Sequence, residues 1–209
     1  MRAKYLGLDL PSPIIVSSSP YTSNVKSVEQ CAASGAGAVV LKSIFEEQIL
    51  HHAAALDTVS DSAYGDAEVY LQRYLGEDYK AGFLRLVQEA RSKTELPVIA
   101  SINCVVDKGD WIEYATAMAD AGASALELNI FIQSTDIHAQ ARELELNYAE
   151  IVGRVAGAVK IPVSVKLPMR LTNVFALSSA LLGHGARGVV FFNLSLIHIS
   201  EPTRPLYIS

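Results

Sequence analysis

Five hydrophobic runs in this chain stop on a lysine or an asparagine: Val39–Lys42, Val98–Asn103, Ala125–Asn129, Val163–Lys166 and Val189–Asn193. Runs this short and this apolar read as β-strands covered on both faces. Between them lie segments with apolar residues at i, i+3 and i+4, the period of a helix with one buried face. Val25, Val28, Cys31 and Ala32 form one such face, and Phe83, Leu86, Val87 and Ala90 another. Trp111, Tyr114, Ala115, Met118 and Ala119 repeat the pattern, as do Tyr148, Ile151, Val152, Val155, Ala156 and Val159, then Val174, Leu177 and Leu181. Strand and helix in alternation imply a parallel sheet. Polar residues at the same end of parallel strands collect at one mouth, where barrels of this type place their chemistry.

The joints narrow the choice of sheet. Three helices lead into strands through Gly35-Ala36-Gly37, Gly122-Ala123-Ser124 and Gly185-Ala186-Arg187, and two through Pro97 and Pro162. A glycine closing a helix supplies a left-handed cap. With a first strand at Ile14–Ser18, the strands begin near 14, 38, 98, 125, 163 and 188. The recurrent Gly-Ala joints favour a (β/α)₈ TIM barrel over an open sheet. The lack of Gly-x-Gly-x-x-Gly after the first strand argues against a dinucleotide-binding unit. Six strands are present where a barrel has eight, so residues 1–193 read as the N-terminal part of one incomplete α/β barrel domain.

Bulk properties restrict the partners. A net charge of −5 with no basic stripe disfavours nucleic acid and anionic membranes. No apolar stretch approaches the roughly 20 residues that span a bilayer, and the first residues lack the apolar core of a signal peptide. Cys31 and Cys104 do not make a disulfide framework, which suggests a reducing, cytoplasmic setting. A small molecule is the expected partner. One repeat is long: the surplus from about Glu46 to Gly76 follows a strand end and carries His51, His52, Tyr64, Tyr70, Arg73 and Tyr74, as a lid or substrate loop would. Adjacent histidines rarely converge on one ion, so no metal site is assigned.

Residues 194–209 read as foreign. Leu194-Ser195-Leu196-Ile197-His198-Ile199-Ser200-Glu201-Pro202-Thr203-Arg204 is what a transposase-adapter sequence encodes when translated in frame. Its serines, histidine and arginine therefore carry no functional signal. No strand-and-helix pair follows Asn193 to close a barrel, and a sheet left open there is expected to aggregate through its edges.

Pro13–Ser19, Gly35–Ser43, Leu126-Glu127-Leu128-Asn129, Pro162–Leu167 and Asn193, in that order and spacing, resemble the dihydroorotate dehydrogenase family, most closely its dihydroorotate dehydrogenase-like branch. These are FMN-dependent (β/α)₈ barrels of pyrimidine synthesis. The resemblance implies that Ser17 and Ser18 line the flavin, and that Lys42 and Ser43 lie near the isoalloxazine with Lys42 also at the substrate. Asn129 would bond flavin or substrate, Lys166 would reach the N1–C2=O edge, Asn193 would orient substrate, and Asn103 is a further candidate. A cation near N1 suits a reduced flavin, which is negative there. The resemblance leaves a homodimer open.

The chain departs from the family at one catalytic position. Where the dehydrogenase carries a cysteine or serine as proton acceptor, this sequence has Ile132, followed by Gln133 and Ser134. Isoleucine accepts no proton. Cys104 is a candidate substitute thiol, whereas Cys31 reads as structural. The family's phosphate loops follow strands beyond Asn193, so this stretch alone is expected to hold FMN poorly. Two other readings stand beside the flavin one. A lyase or aldolase would form a Schiff base on Lys166 or Lys42, and a non-catalytic barrel would only bind a ligand.

Overall fold

A computed structural model describes residues 1–45, 80–103, 111–132, 136–169 and 171–193. The long insertion with His51 and His52, Cys104, Gln133, Ser134 and the tail from Leu194 lie outside the described residues.

The chain begins with an antiparallel hairpin, β1 (Ala3–Tyr5) and β2 (Leu8–Leu10). Then follow β3 (Ile15–Val16), α1 (Val25–Ala33), β4 (Ala38–Val40), the short β5 (Ile44–Phe45), helical residues 80–93 as α2, and β6 (Val98–Asn103). Next come α3 (Trp111–Asp120), β7 (Ala125–Asn129), α4 (Ala141–Ala158), β8 (Val163–Leu167), α5 (Val174–Gly183) and β9 (Gly188–Phe191). The main sheet is parallel throughout, in the order β3-β4-β6-β7-β8-β9, with β5 alongside the end of β6. It curls as an incomplete (β/α)₈ barrel, as the alternating pattern and the joints predict. Gly35, Gly122 and Gly185 all have positive φ just past a helix, the left-handed caps read from the sequence.

Alternation along the strands separates two environments. Val39, Leu41, Val98, Ala100, Ile102, Leu126, Leu128, Ile130, Val163, Val165 and Leu167 point outward and pack with the buried faces of α1 to α5 in one core. Burial of each such valine, leucine or isoleucine stabilises by about 1.5–3 kcal/mol relative to leaving it in water. Ala38, Val40, Ile99 and Ala125 point the other way, into the barrel lumen, and meet Leu6 and Leu10 of the hairpin. The hairpin therefore plugs the end of the lumen where the strands begin.

Two sequence expectations are corrected. The first strand is two residues, Ile15–Val16, rather than Ile14–Ser18. The hairpin before it was not foreseen, because its turn residues Leu6 and Gly7, both at positive φ, lack the Asn-Gly or Asp-Gly signal. Burial of Leu6 against the lumen residues overrides the poor local preference. The last strand is not covered on both faces: Val189 and Val190 are half-buried and Phe191 is exposed, because among the described residues β9 pairs only with β8.

Candidate active site

The same alternation decides where the polar strand ends point. On β7, Leu126 and Leu128 are in the helix-side core, so Glu127 and Asn129 face the lumen. On β8, Val163, Val165 and Leu167 face the helices, so Ser164 and Lys166 face the lumen. On β6, Ser101 and Asn103 do the same, and past the end of β4 the alternation breaks, since the Ser43 hydroxyl reaches the lumen-facing Ser101. The lumen side is thus layered. An apolar layer lies on the hairpin plug, a layer with Ser101, Glu127 and Ser164 lies above it, and Asn103, Asn129 and Lys166 lie at the mouth. The registers Ser101↔Glu127, Glu127↔Ser164 and Asn129↔Lys166 hold the layers level.

Several expected site residues touch one another. The Ser18 hydroxyl lies 3.1 Å from that of Ser43 and accepts the Ser43 backbone N–H at 2.9 Å. The Ser43 hydroxyl in turn lies 2.7 Å from that of Ser101. These contacts tie the loop after β3 to the ends of β4 and β6. Asn193 donates its amide to Asn129 Oδ1 at 2.9 Å, and its backbone N–H bonds the Leu167 carbonyl at 2.7 Å. Lys42 is half-buried and its backbone N–H bonds the Thr22 carbonyl at 3.2 Å. Asn103 is half-buried at the end of β6, and Ser17 is exposed, outside the serine chain.

Glu127 was the residue that motif reading passed over. It is 4 % exposed, and Lys166 Nζ lies 3.7 Å from its Oε1. That separation makes an ion pair but not a hydrogen bond, and among the described residues Oε1 has no hydrogen-bond donor. Burial pushes the Glu127 carboxyl above its ordinary range, and Lys166 opposes the rise. Burial also raises the hydroxyl of Tyr5, from the plug, and the Glu127 charge adds to that rise. The signal in the sequence was a glutamate inside the otherwise apolar run Ala125–Leu128, where an unpaired charge would be costly.

Ile132 also changes meaning. Its side chain packs against the helix-side core, and its backbone N–H bonds the Tyr148 hydroxyl at 3.1 Å. The position anchors the chain leaving β7 to α4. Phe131 beside it is 57 % exposed, and Met169 and Phe192, just past β8 and β9, are also exposed. The amides of Asn129 and Asn193 and the ammonium of Lys166 are donors of the kind that the polar edge of an isoalloxazine accepts. Cys31 is buried in the core at α1, as expected of a structural thiol, and burial raises its pKa.

A cavity of about 810 Å³ lies elsewhere, near the hairpin turn and the C-terminal ends of α4 and α5, lined in part by Gly7, Gly157, Lys160, His184 and Arg187. No expected strand-end residue lines it. Basic side chains there complement the negative ends of two helices. Among the described residues no group of three His, Cys, Asp or Glu side chains is placed to hold a metal ion, and no helix is long and apolar enough to cross a membrane.

No protein-family model matches the chain. Among curated proteins it is 30% identical over 195 residues to "Dihydroorotate dehydrogenase B (NAD(+)), catalytic subunit" of Methanocella arvoryzae, covering 90% of this chain and 60% of that protein. It is 29% identical over 189 residues to the protein of the same name in Methanosarcina acetivorans, covering 90% of this chain and 59% of that one. A protein of Aeropyrum pernix, provisionally named dihydroorotate dehydrogenase A (fumarate), is 35% identical over 114 residues, 52% of this chain and 35% of that protein. Solved structures of an oxaloacetate acetylhydrolase (TM-score 0.52, 14% identity, 90% of this chain and 55% of that one) and of a Coccidioides immitis protein provisionally placed in the dihydrodipicolinate synthase family (TM-score 0.51, 13% identity, 91% and 55%) share the fold. At most 60% of the length of any of these three curated proteins is spanned by the chain. Its sequence is similar to that of dihydroorotate dehydrogenases, and its fold is that of an incomplete (β/α)₈ barrel.

Proposed function

We propose that this chain is part of an FMN-dependent oxidoreductase of the dihydroorotate dehydrogenase type, acting on a dihydroorotate-like CH–CH bond. The observation that carries the reading is the lumen-facing register of Asn129 and Lys166 on adjacent strands, with Asn193 bonded to Asn129. When bound, a flavin supplies the hydride acceptor. Asn129 and Asn193 orient polar edges through their amides, and Lys166 presents positive charge from β8. Lys42 and Ser43 flank the site from the end of β4, with Ser43 fixed by Ser18 and Ser101. Phe131, Met169 and Phe192 give apolar contact and exclude water. The proton acceptor is a group other than Ile132, whose side chain belongs to the helix-side core.

The test is direct. Full-length protein should purify with flavin absorbance near the visible blue, and anaerobic addition of dihydroorotate should bleach it. A yellow protein that dihydroorotate does not reduce keeps the flavin and discards the substrate. A colourless protein that binds no added FMN discards both. In that event, borohydride trapping of a carbonyl substrate on Lys166 or Lys42 would establish the Schiff-base alternative.

A further inference from the structure

Asn129 and Asn193 bond each other at the mouth, whereas among the described residues the Glu127 carboxyl has an ion pair with Lys166 and no hydrogen-bond donor on Oε1. The carboxyl sits one layer below the mouth, almost wholly buried. A buried carboxyl in this state is costly unless a charge or a proton compensates it. Among the described residues the charged or titratable groups facing it are Lys166 on β8 and Tyr5 on β1, and its register partners on β6 and β8 are the neutral Ser101 and Ser164. Lys166 therefore links two layers: its backbone is level with Asn129 at the mouth, and its Nζ lies 3.7 Å from Glu127 Oε1 below.

We propose that Glu127 is a positioning residue for Lys166, holding the ammonium on the lumen face and governing by its own charge how much of the Lys166 charge reaches a group at the mouth. The coupling of the two side chains stands on their geometry alone. Its consequence for a flavin rests on the function proposed above. With Glu127 ionised, the pair is close to neutral, and an anion forming above it gains little. With Glu127 protonated, the full Lys166 charge faces the mouth and favours the reduced, anionic flavin. Burial in a low-dielectric lumen makes such a switch larger than it would be in water.

Two measurements on the full-length protein test this. In the flavin-free form, carboxyl carbon NMR should show Glu127 titrating above the ordinary glutamate range, and Lys166→Met should move the midpoint further up. An unmoved midpoint in Lys166→Met overturns the proposal. In the flavin-loaded form, at a pH above that midpoint, dithionite titration against a reference dye reads the flavin potential. Glu127→Gln should favour the reduced flavin about tenfold, a rise of about 30 mV for a two-electron couple, and the difference should vanish below the midpoint. Lys166→Met should shift the potential the other way. If Lys166→Met lowers the potential while Glu127→Gln matches the wild type at every pH, the carboxyl is only structural and the proposal fails. If full-length protein takes up no flavin, the flavin reading fails and the carboxyl titration alone decides whether the two side chains are coupled.

Discussion

The two faces of β7 are built from neighbouring residues and do different work. Outward, Leu126 and Leu128 are sealed against the helices with Ile130, just past the strand. Inward, Ala125 rests on the hairpin plug, Glu127 pairs with Lys166, and Asn129 accepts from Asn193. The outer face is uniform and could exchange one aliphatic for another of similar size at modest cost. The inner face changes with depth, from apolar to ionic to amide, and each position has a particular partner. The contrast places most of the apolar burial on the outside of the sheet and the polar candidate-site groups at one end of its inside.

The sharpest way to break this contrast is an outer-face truncation. Leu128→Ala should cost about 2–5 kcal/mol, the range for deleting a fully buried leucine. Urea unfolding reads it, and a loss under about 1 kcal/mol would mean that the outer face is less tightly packed than described. Next comes the plugged end of the inner face. A Cβ on Gly188 would lie 2.7 Å from Leu6 Cδ2, so Gly188→Val should overpack the hairpin and cost about 1–3 kcal/mol. If deleting residues 1–10 leaves the cost unchanged, the hairpin is not what Gly188 accommodates.

Glu127 sharpens the comparison through pH. Burial raises its folded-state pKa above the ordinary glutamate value of 4.5, so the folded state binds this proton more tightly than the unfolded state does. The resulting stability is present in full below about pH 4.5 and is lost as pH rises through the folded value. Urea unfolding of wild type and Glu127→Gln across acid to neutral pH should show the wild type falling behind the variant over that window. Parallel curves would show that the carboxyl is as well solvated folded as unfolded. The smallest effect belongs to the mouth. Asn193→Ala removes one amide hydrogen bond to Asn129 and should cost about 1 kcal/mol in stability. Under the proposed function it should weaken FMN retention in full-length protein by a larger factor than the stability change explains. A proportionate loss in both would make the Asn129–Asn193 pair structural.

Much of the scaffold was legible in the chain because periodicity is a one-dimensional signal. Helix faces such as Tyr148, Ile151, Val152 and Val155 are buried as their spacing predicts. Three glycine joints are left-handed caps. The strand ends Asn129 and Lys166 do lie side by side. The hairpin leaves no local signal because its turn is held by tertiary burial of Leu6 rather than by an Asn-Gly or Asp-Gly pair. Glu127 was not legible in this way because a motif names residue types but not the depth at which a side chain lies or what faces it.

The sequence alone therefore determined the alternation of strand and helix, the parallel sheet and the identity of the polar strand ends, since each follows from local period and composition. Only the tertiary structure decided that Ile132 packs toward the helices, that Phe131 is exposed beside it, and that Lys166 leans down to a buried carboxylate. Those outcomes depend on distances between residues far apart in the chain, here 39 positions for Glu127 and Lys166, and no local preference encodes such a distance.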